Sequence, residues 1–290
     1  MHFGKTLAAA VLGFGAHAAM AQTPAPAPAA PFVTHQLTPS VYWIDGGGGN
    51  SGVIVGKKGV IVIDAKITAA AGKELLGDIA KITPKPVTTV IETHSDRDHI
   101  SGLASFPKGI TIIAQENNKK EQETAIKAGT GAVTADLLPT QLVTKPKETL
   151  KLDGVTIELY HWGPAHTSGD LVVYLPAGKI VFTGDICSPA QPDPIIHPEK
   201  NGSSEGWITT TKAMAALNSD RFVPGHGDVQ TKAQIQAGLD KAVAKRAKIK
   251  ELVAQGKSLD DIRKALGDPP AGRIVTFTEV VYRELTAAGR

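Results

Sequence analysis

From Phe32 onward, short β-branched runs alternate with longer stretches of helical spacing, and the order of the two periodicities outlines a fold. Val41 to Ile44, Ser51 to Val55 and Val60 to Ile63 read as strands separated by glycine-rich turns, the sharpest being Gly46-Gly47-Gly48-Gly49-Asn50. A helix over about Thr68 to Ile82 follows, with Thr68 as its cap and Pro84 as its stop. Val87 to Glu92 is the next strand, a helix begins near Ser101, and Ile110 to Ala114 and Glu116 to Lys127 supply a strand and a polar helix. The Thr-, Gly- and Pro-rich segment Ala128 to Lys147 reads as a surface excursion, with a lid as the alternative.

Antiparallel strands come next: Glu148 to Leu152 with Val155 to Tyr160 around Asp153-Gly154, and Leu171 to Leu175 with Ile180 to Thr183 around Ala177-Gly178. The remainder is mostly helical: Glu205 to Leu217, one strand at Arg221 to Val223, a long helix over about Thr231 to Gln255, and short helices near Leu259 to Leu266 and Thr276 to Leu285. Two β-rich halves, each ending in helices, predict an α/β chain folded as a four-layer αββα sandwich.

The N-terminus has a different character. A basic start at His2 and Lys5, an apolar run from Leu7 to Phe14 and small residues ending Ala19-Met20-Ala21 predict a secretory signal peptide over residues 1–21. The run is too short and too rich in Gly and Ala for a membrane span. Residues 22–31 (QTPAPAPAAP) read as a Pro/Ala tether, and 32–290 as the folded domain, with about 229–290 as its helical extension. Such a chain is expected in the periplasm or outside the cell.

Composition narrows the partners. With 42% hydrophobic and 20% charged residues the chain is ordinarily globular, and a net charge of +3 gives no case for nucleic acid. A small-molecule substrate is the expected partner, while oligomeric state is not readable. The single cysteine, Cys187, rules out an internal disulfide; it reads as a small buried hydrophobe, with a ligand or reactive thiol as the alternative.

The chemistry is concentrated in Thr93-His94-Ser95-Asp96-Arg97-Asp98-His99-Ile100-Ser101-Gly102, which packs His94, Asp96, Asp98 and His99 into one loop after a strand. Two imidazoles and two carboxylates so close together read as half of a two-metal site. Three further strand-to-loop junctions offer donors: His166 in Gly163-Pro164-Ala165-His166-Thr167-Ser168-Gly169-Asp170, Asp185 in Phe182-Thr183-Gly184-Asp185, and His226 in Phe222-Val223-Pro224-Gly225-His226-Gly227.

The ordered set His94, Asp98, His99, His166, Asp185, His226, together with the strand-ending Val62-Ile63-Asp64, resembles the metallo-β-lactamase superfamily over roughly Val41 to Gly227. The resemblance implies a first metal on His94 and His166, a second on Asp98, His99 and His226, Asp185 bridging them, and Asp64 orienting the motif loop from behind. It also implies a hydrolase in which metal-bound hydroxide attacks an electrophilic carbonyl, with Asp98 orienting the hydroxide and relaying its proton. Lactones, thioesters, esters and β-lactams share that need. In the superfamily an Asp at the bridging place is typical of thioesterases, lactonases and oxidoreductases, and a Cys or Ser of β-lactam hydrolysis. Other candidates are weaker: Arg97 in an ion pair with a neighbouring Asp, and His161 and His197 lining the cleft. Trp162 and Trp207 read as packing residues, and Cys187 to Gly206 as a border of the site.

This chain departs from the family pattern at Asp96, where a second His is usual. His94, Asp96 and His166 form an accepted zinc set, yet also the trio associated with non-haem iron, and manganese would be accommodated. Zinc is favoured over a di-iron redox centre because no flavin-binding module accompanies the motif. Two divalent ions, the carboxylates of Asp96, Asp98 and Asp185 and a bridging hydroxide sum to neutrality, where a His in place of Asp96 would leave one positive charge. A less polarising centre is the expectation.

Overall fold

The computed structural model describes Met1 and residues 31–268, 272 and 275–287. The expected signal peptide, apart from Met1, and most of the expected tether therefore lie outside the described residues. From Pro31 onward the chain is one compact unit.

Seven strands form the first sheet in chain order: β1 (Thr34–Thr38), β2 (Val41–Ile44), β3 (Ser51–Val55), β4 (Val60–Ile63), β5 (Val87–Ile91), β6 (Thr111–Gln115) and β7 (Gln141–Val143). The first four are antiparallel, and β4 to β7 run parallel. Parallel neighbours need a crossover, supplied by α1 (Ala69–Ile82), by the one-turn α2 (Arg97–Ile100) with the 3₁₀ turn Ser101–Ser105, and by α3 (Glu116–Lys127). Thr68 caps α1, its side chain accepting from Ala71 N, as the sequence predicts.

The second sheet holds β8 (Lys147–Leu152), β9 (Val155–Tyr160), β10 (Val172–Leu175), β11 (Ile180–Gly184) and β12 (Arg221–Pro224), in the spatial order β12-β11-β10-β9-β8. Only the β11–β12 pair is parallel, joined through α4 (Ser204–Ala215). Three helices end the chain: α5 (Lys232–Ala254), α6 (Leu259–Leu266) and α7 (Phe277–Ala287).

Alternation along each strand sets the layers. On β4, Ile61 and Ile63 enter the core between the sheets, and Val60 and Val62 pack under Leu75 and Ile79 of α1. On β11, Ile180 and Phe182 face the same inter-sheet core, and Val181 faces the C-terminal helices. Ile235, Leu239 and Ala242, at helical spacing on α5, complete that outer layer with Trp207 and Met214 of α4. The αββα sandwich is thus as the sequence implies, and no helix of the described residues is long and apolar enough to cross a membrane.

Three details differ from the sequence reading. Ala128 to Lys147 is neither lid nor simple excursion, because its β7 extends the first sheet in parallel with β6. β1, Thr-His-Gln-Leu-Thr, forms the opposite edge. The helix expected to begin near Ser101 starts instead at Arg97, where the extended Asp96 offers its carbonyl to the amide of His99, and Ser101 opens only a 3₁₀ turn.

Candidate metal centre

Strand direction gathers the candidate residues at one rim of the sandwich. β4 and β5 are parallel neighbours, so Asp64 and the His94 loop leave the first sheet side by side. β11 and β12 are likewise parallel and release Asp185 and His226 together, while the loop entering the antiparallel β10 brings His166 to the same end. Leu171 N donates to Thr93 O at 2.7 Å, stitching the two sheets' loops together.

The donors converge in two groups that share one carboxylate. His166 Nε2 lies 3.1 Å and His94 Nε2 3.6 Å from Asp96 Oδ2, and His166 Nε2 is 3.9 Å from Asp185 Oδ2. On the other side, His226 Nε2 is 3.0 Å from Asp98 Oδ2 and 3.4 Å from Asp185 Oδ2, and His99 Nε2 is 3.3 Å from Asp185 Oδ1. Asp185 therefore faces both groups.

The imidazoles are held from behind. Thr93 Oγ1 donates its one proton to Asp64 Oδ2 at 2.7 Å, so at 2.9 Å it accepts from His94 Nδ1. His99 Nδ1 lies 2.8 Å from the same Asp64 oxygen, and His166 Nδ1 donates to Ile195 O at 2.9 Å. Each of these bonds turns the Nε2 lone pair inward. Asp64 itself sits at φ +58°, a left-handed conformation that Asp adopts more readily than most residues with a side chain, and its carboxylate meets the motif loop at Thr93 and His99.

A glycine loop closes over His99. Gly49 passes so near the imidazole that a β-carbon there would overlap Cε1, and its amide donates to Asp98 O at 3.0 Å. The loop is tied down by Asn50, whose Nδ2 donates to Pro224 O and Gly227 O, and by the fully buried Lys66, whose Nζ donates to Ile44 O at 2.6 Å and Gly49 O at 2.9 Å. Burial pulls the Lys66 ammonium down to about 7 against the fields of Asp45 and Asp64.

Electrostatics report a site built for cations. Burial works against the Asp96 carboxylate, yet hydrogen bonds from His166 and His197 and the field of the nearby His94 hold it far below the usual range. Asp185 is similarly depressed, with burial opposed by the field of His99 and by a hydrogen bond from His226. Burial lowers His166, but Asp96 and Asp185 carry it up to about 9, and hydrogen bonds to Asp185 and Asp98 raise His226 to about 9.

The donor set fits a pair of divalent ions. An ion about 2.0–2.2 Å from tetrahedrally placed N and O donors separates those donors by about 3.3–3.6 Å, and the pairs above span 3.0–3.9 Å. His94 Nε2 and Asp185 Oδ1 are buried without a hydrogen-bond partner, the state of an atom awaiting a ligand. His94, Asp96, His166 and Asp185 could hold one ion, and Asp98, His99 and His226 the other.

The remaining sequence candidates separate. His197 Nε2 is 3.3 Å from Asp96 Oδ2 and so borders the first group. His161 instead places Nδ1 2.9 Å from Asp170 O, and the exposed Arg97 reaches toward Thr130 O rather than pairing with an Asp. Cys187 is buried among apolar side chains, which push its thiol up to about 12, and it joins none of the ligand groups among the described residues.

Lys200 is the functional candidate that sequence reasoning missed. Its Nζ donates to Asp96 Oδ1 and, at 2.9 Å, to Ser95 Oγ, whose hydroxyl donates to Glu121. One Asp96 oxygen is thereby committed to an ammonium and the other left to the imidazoles. The positive charge that Asp96 removes relative to a His is restored by Lys200, so the neutral centre expected from the motif alone becomes singly positive with its neighbour counted. Nothing in a lone Lys of Pro198-Glu199-Lys200 signals this.

Residues 44–226 match the family model described as Metallo-beta-lactamase superfamily. The chain belongs to the metallo-β-lactamase superfamily. At family level it is a metal-dependent hydrolase. It is 28% identical over 199 residues to a metallo-beta-lactamase type 2 of Bacillus sp. (strain 170), covering 66% of this chain and 71% of that protein. It is 26% identical over 235 residues to the 2,4-dinitroanisole O-demethylase subunit alpha of Nocardioides sp. (strain JS1661), covering 78% and 69%. Among solved structures, the inverting sec-alkylsulfatase Pisa1 from Pseudomonas sp. superposes with a TM-score of 0.72 at 19% identity, covering 87% of this chain. The chain spans only 50% of that alkylsulfatase's length, so the likeness is one of fold.

Proposed function

We propose that this chain is an exported dinuclear hydrolase that opens a small carbonyl substrate, an ester, lactone or thioester, with zinc as its metal. The observation that carries the reading is Asp185, whose two oxygens lie 3.3 Å from His99 and 3.4 Å from His226, with His166 at 3.9 Å. When bound, a pair of divalent cations makes water acidic enough to attack near neutral pH and polarises the substrate carbonyl.

The chain's own residues do the rest. Asp98, half-buried beside His226, orients the attacking water and takes its proton. Asp64 and Thr93 hold the rings of His99 and His94 through Nδ1, so that Nε2 of each faces the centre. The glycine loop screens His99 from solvent, and Asp185 holds the two donor groups in register. β-Lactam hydrolysis is the less favoured substrate reading because Asp185 occupies the bridging place and Cys187 is buried away from the donors. The leader-like N-terminus supports export.

Protein purified from cells should carry two equivalents of zinc by elemental analysis and hydrolyse chromogenic esters, lactones or thioesters in a panel that also includes lactams and sulfate esters. Chelation should abolish turnover and zinc should restore it. Turnover surviving exhaustive chelation would remove the mechanism, and iron with a visible absorption band would move the chain to redox chemistry. In Asp185→Ala, at least one equivalent should be lost; full occupancy of both sites would contradict the bridge.

A further inference from the structure

Beside the metal centre lies a pocket of about 210 Å³, walled by the loop that follows β11 and by helices α4 and α5, with Asp185 in its lining. The walls mix apolar side chains, Trp207, Cys187 and Ile235 among them, with polar ones. Its charged neighbours are already committed: Lys241 Nζ donates to Pro192 O, and Asp193 is paired with Lys245 at 2.7 Å. Two hydroxyls of the lining are left over. Ser188 Oγ and Thr211 Oγ1 are both buried without a partner, and Thr211 is 1% exposed. Apart from Asp185, which belongs to the metal centre, the charged side chains of the lining already have partners, while two hydrogen bonds are unmet.

Gly238 stands, exposed to solvent, at the rim of this space. It lies inside α5, where glycine is unfavourable relative to alanine, yet its φ is not left-handed and a β-carbon built there meets nothing within 4 Å. Neither close packing nor backbone conformation calls for glycine. It borders the pocket, and a larger residue would project a side chain over the opening.

We propose that this pocket receives the uncharged, apolar part of the substrate, a phenyl group or an aliphatic chain of about six carbons, with the scissile bond at the Asp185 end. The size follows from comparison with a cavity of about 150 Å³, which holds benzene. An uncharged group is specified because a charged one would find no free partner, and a hydroxyl or carbonyl on it would satisfy Thr211. The assignment rests on the hydrolytic reading above and narrows its substrate class.

The test separates the two. Benzyl alcohol, titrated against metal-loaded protein and followed by ligand-observed saturation-transfer NMR, should bind saturably, weaken severalfold in Thr211→Val, and weaken at least about tenfold in Gly238→Leu, with Gly238→Ala much closer to wild type. Metal content, measured on the same samples, should not change. In parallel, p-nitrophenyl hexanoate should be preferred over the acetate by about fourfold in kcat/KM for each methylene the pocket takes up, and Gly238→Leu should erase that preference. Equal benzyl alcohol binding by wild type and Gly238→Leu, or no chain-length preference in an active enzyme, overturns the pocket while leaving hydrolysis intact. Pocket-dependent binding in a protein that hydrolyses no member of the panel supports the pocket and removes the hydrolytic reading instead.

Discussion

At the scale of single residues, the Asp96–Lys200 pair decides how this centre differs from the family pattern with a second histidine at position 96. Asp96 Oδ2 faces His166 at 3.1 Å while Oδ1 accepts from Lys200, so the carboxylate and the ammonium act as one unit. A dication feels the nearby ammonium as repulsion, and a substrate oxygen feels it as attraction. Lys200→Met should therefore tighten zinc roughly tenfold in competition with a chromophoric chelator and lower kcat by a similar factor. Asp96→His alone should weaken zinc by at least about tenfold, because it leaves Lys200 unpaired against a histidine. In the Asp96→His background, Lys200→Met should tighten zinc by clearly more than the tenfold it gives alone; strict additivity in the double-mutant cycle would show that Lys200 does not act through Asp96. The sequence showed Asp96 and its departure from the family pattern, because motif spacing is local. It did not show Lys200, which lies 104 residues away and is delivered by a 3₁₀ turn without hydrophobic periodicity.

At the scale of elements, the strands of the inner sheets were legible because they are fully buried β-branched runs, such as Val-Ile-Val-Ile of β4. The edge strands were not: β1 is polar and largely solvent-facing, and β7 has only three residues. The site depends on a crossing that sequence could not show. Gly72 of α1 and Gly102 of the 3₁₀ turn meet backbone to backbone, and Gly102 N donates to Lys66 O at 2.9 Å. A β-carbon at Gly102 would collide with the carbonyl oxygen of Ala65, which itself follows Asp64. Gly102→Ala should therefore destabilise the fold by about 3 kcal/mol or more in urea unfolding and displace His99, lowering zinc content. Gly77→Ala, on the same α1 but with open space around its β-carbon, should instead stabilise by up to about 1 kcal/mol. Equal effects at the two glycines would mean that the crossing does not position the motif turn.

At the scale of the whole molecule, the donor groups couple stability to pH in opposite senses with and without metal. In the metal-free protein His166 and His226 are raised from 6.5 to about 9. A raised pKa means that the folded state holds its proton more tightly, so the stability it contributes is complete below about pH 6.5 and is lost as pH climbs through about 9. For the buried His166 this is on the order of 3 kcal/mol, and the more exposed His226 contributes less. Two other buried groups titrate nearby. Glu92, which burial pushes up to about 8, loses its contribution between about pH 4.5 and 8, and Lys66, lowered to about 7, works the other way by favouring the folded state as pH rises above 7. Neither belongs to the proposed donor set, so both enter the metal-free and zinc-loaded proteins alike. Zinc replaces the protons on the imidazoles and is bound more tightly as they leave. The difference in Tm between zinc-loaded and chelated protein should therefore widen steadily from pH 6.5 to 9, by about 5 °C or more, as followed by calorimetry in matched buffers. A difference that stays constant across this window would mean that His166 and His226 are not the groups exchanging protons for metal, and the centre would have to be assembled from other donors.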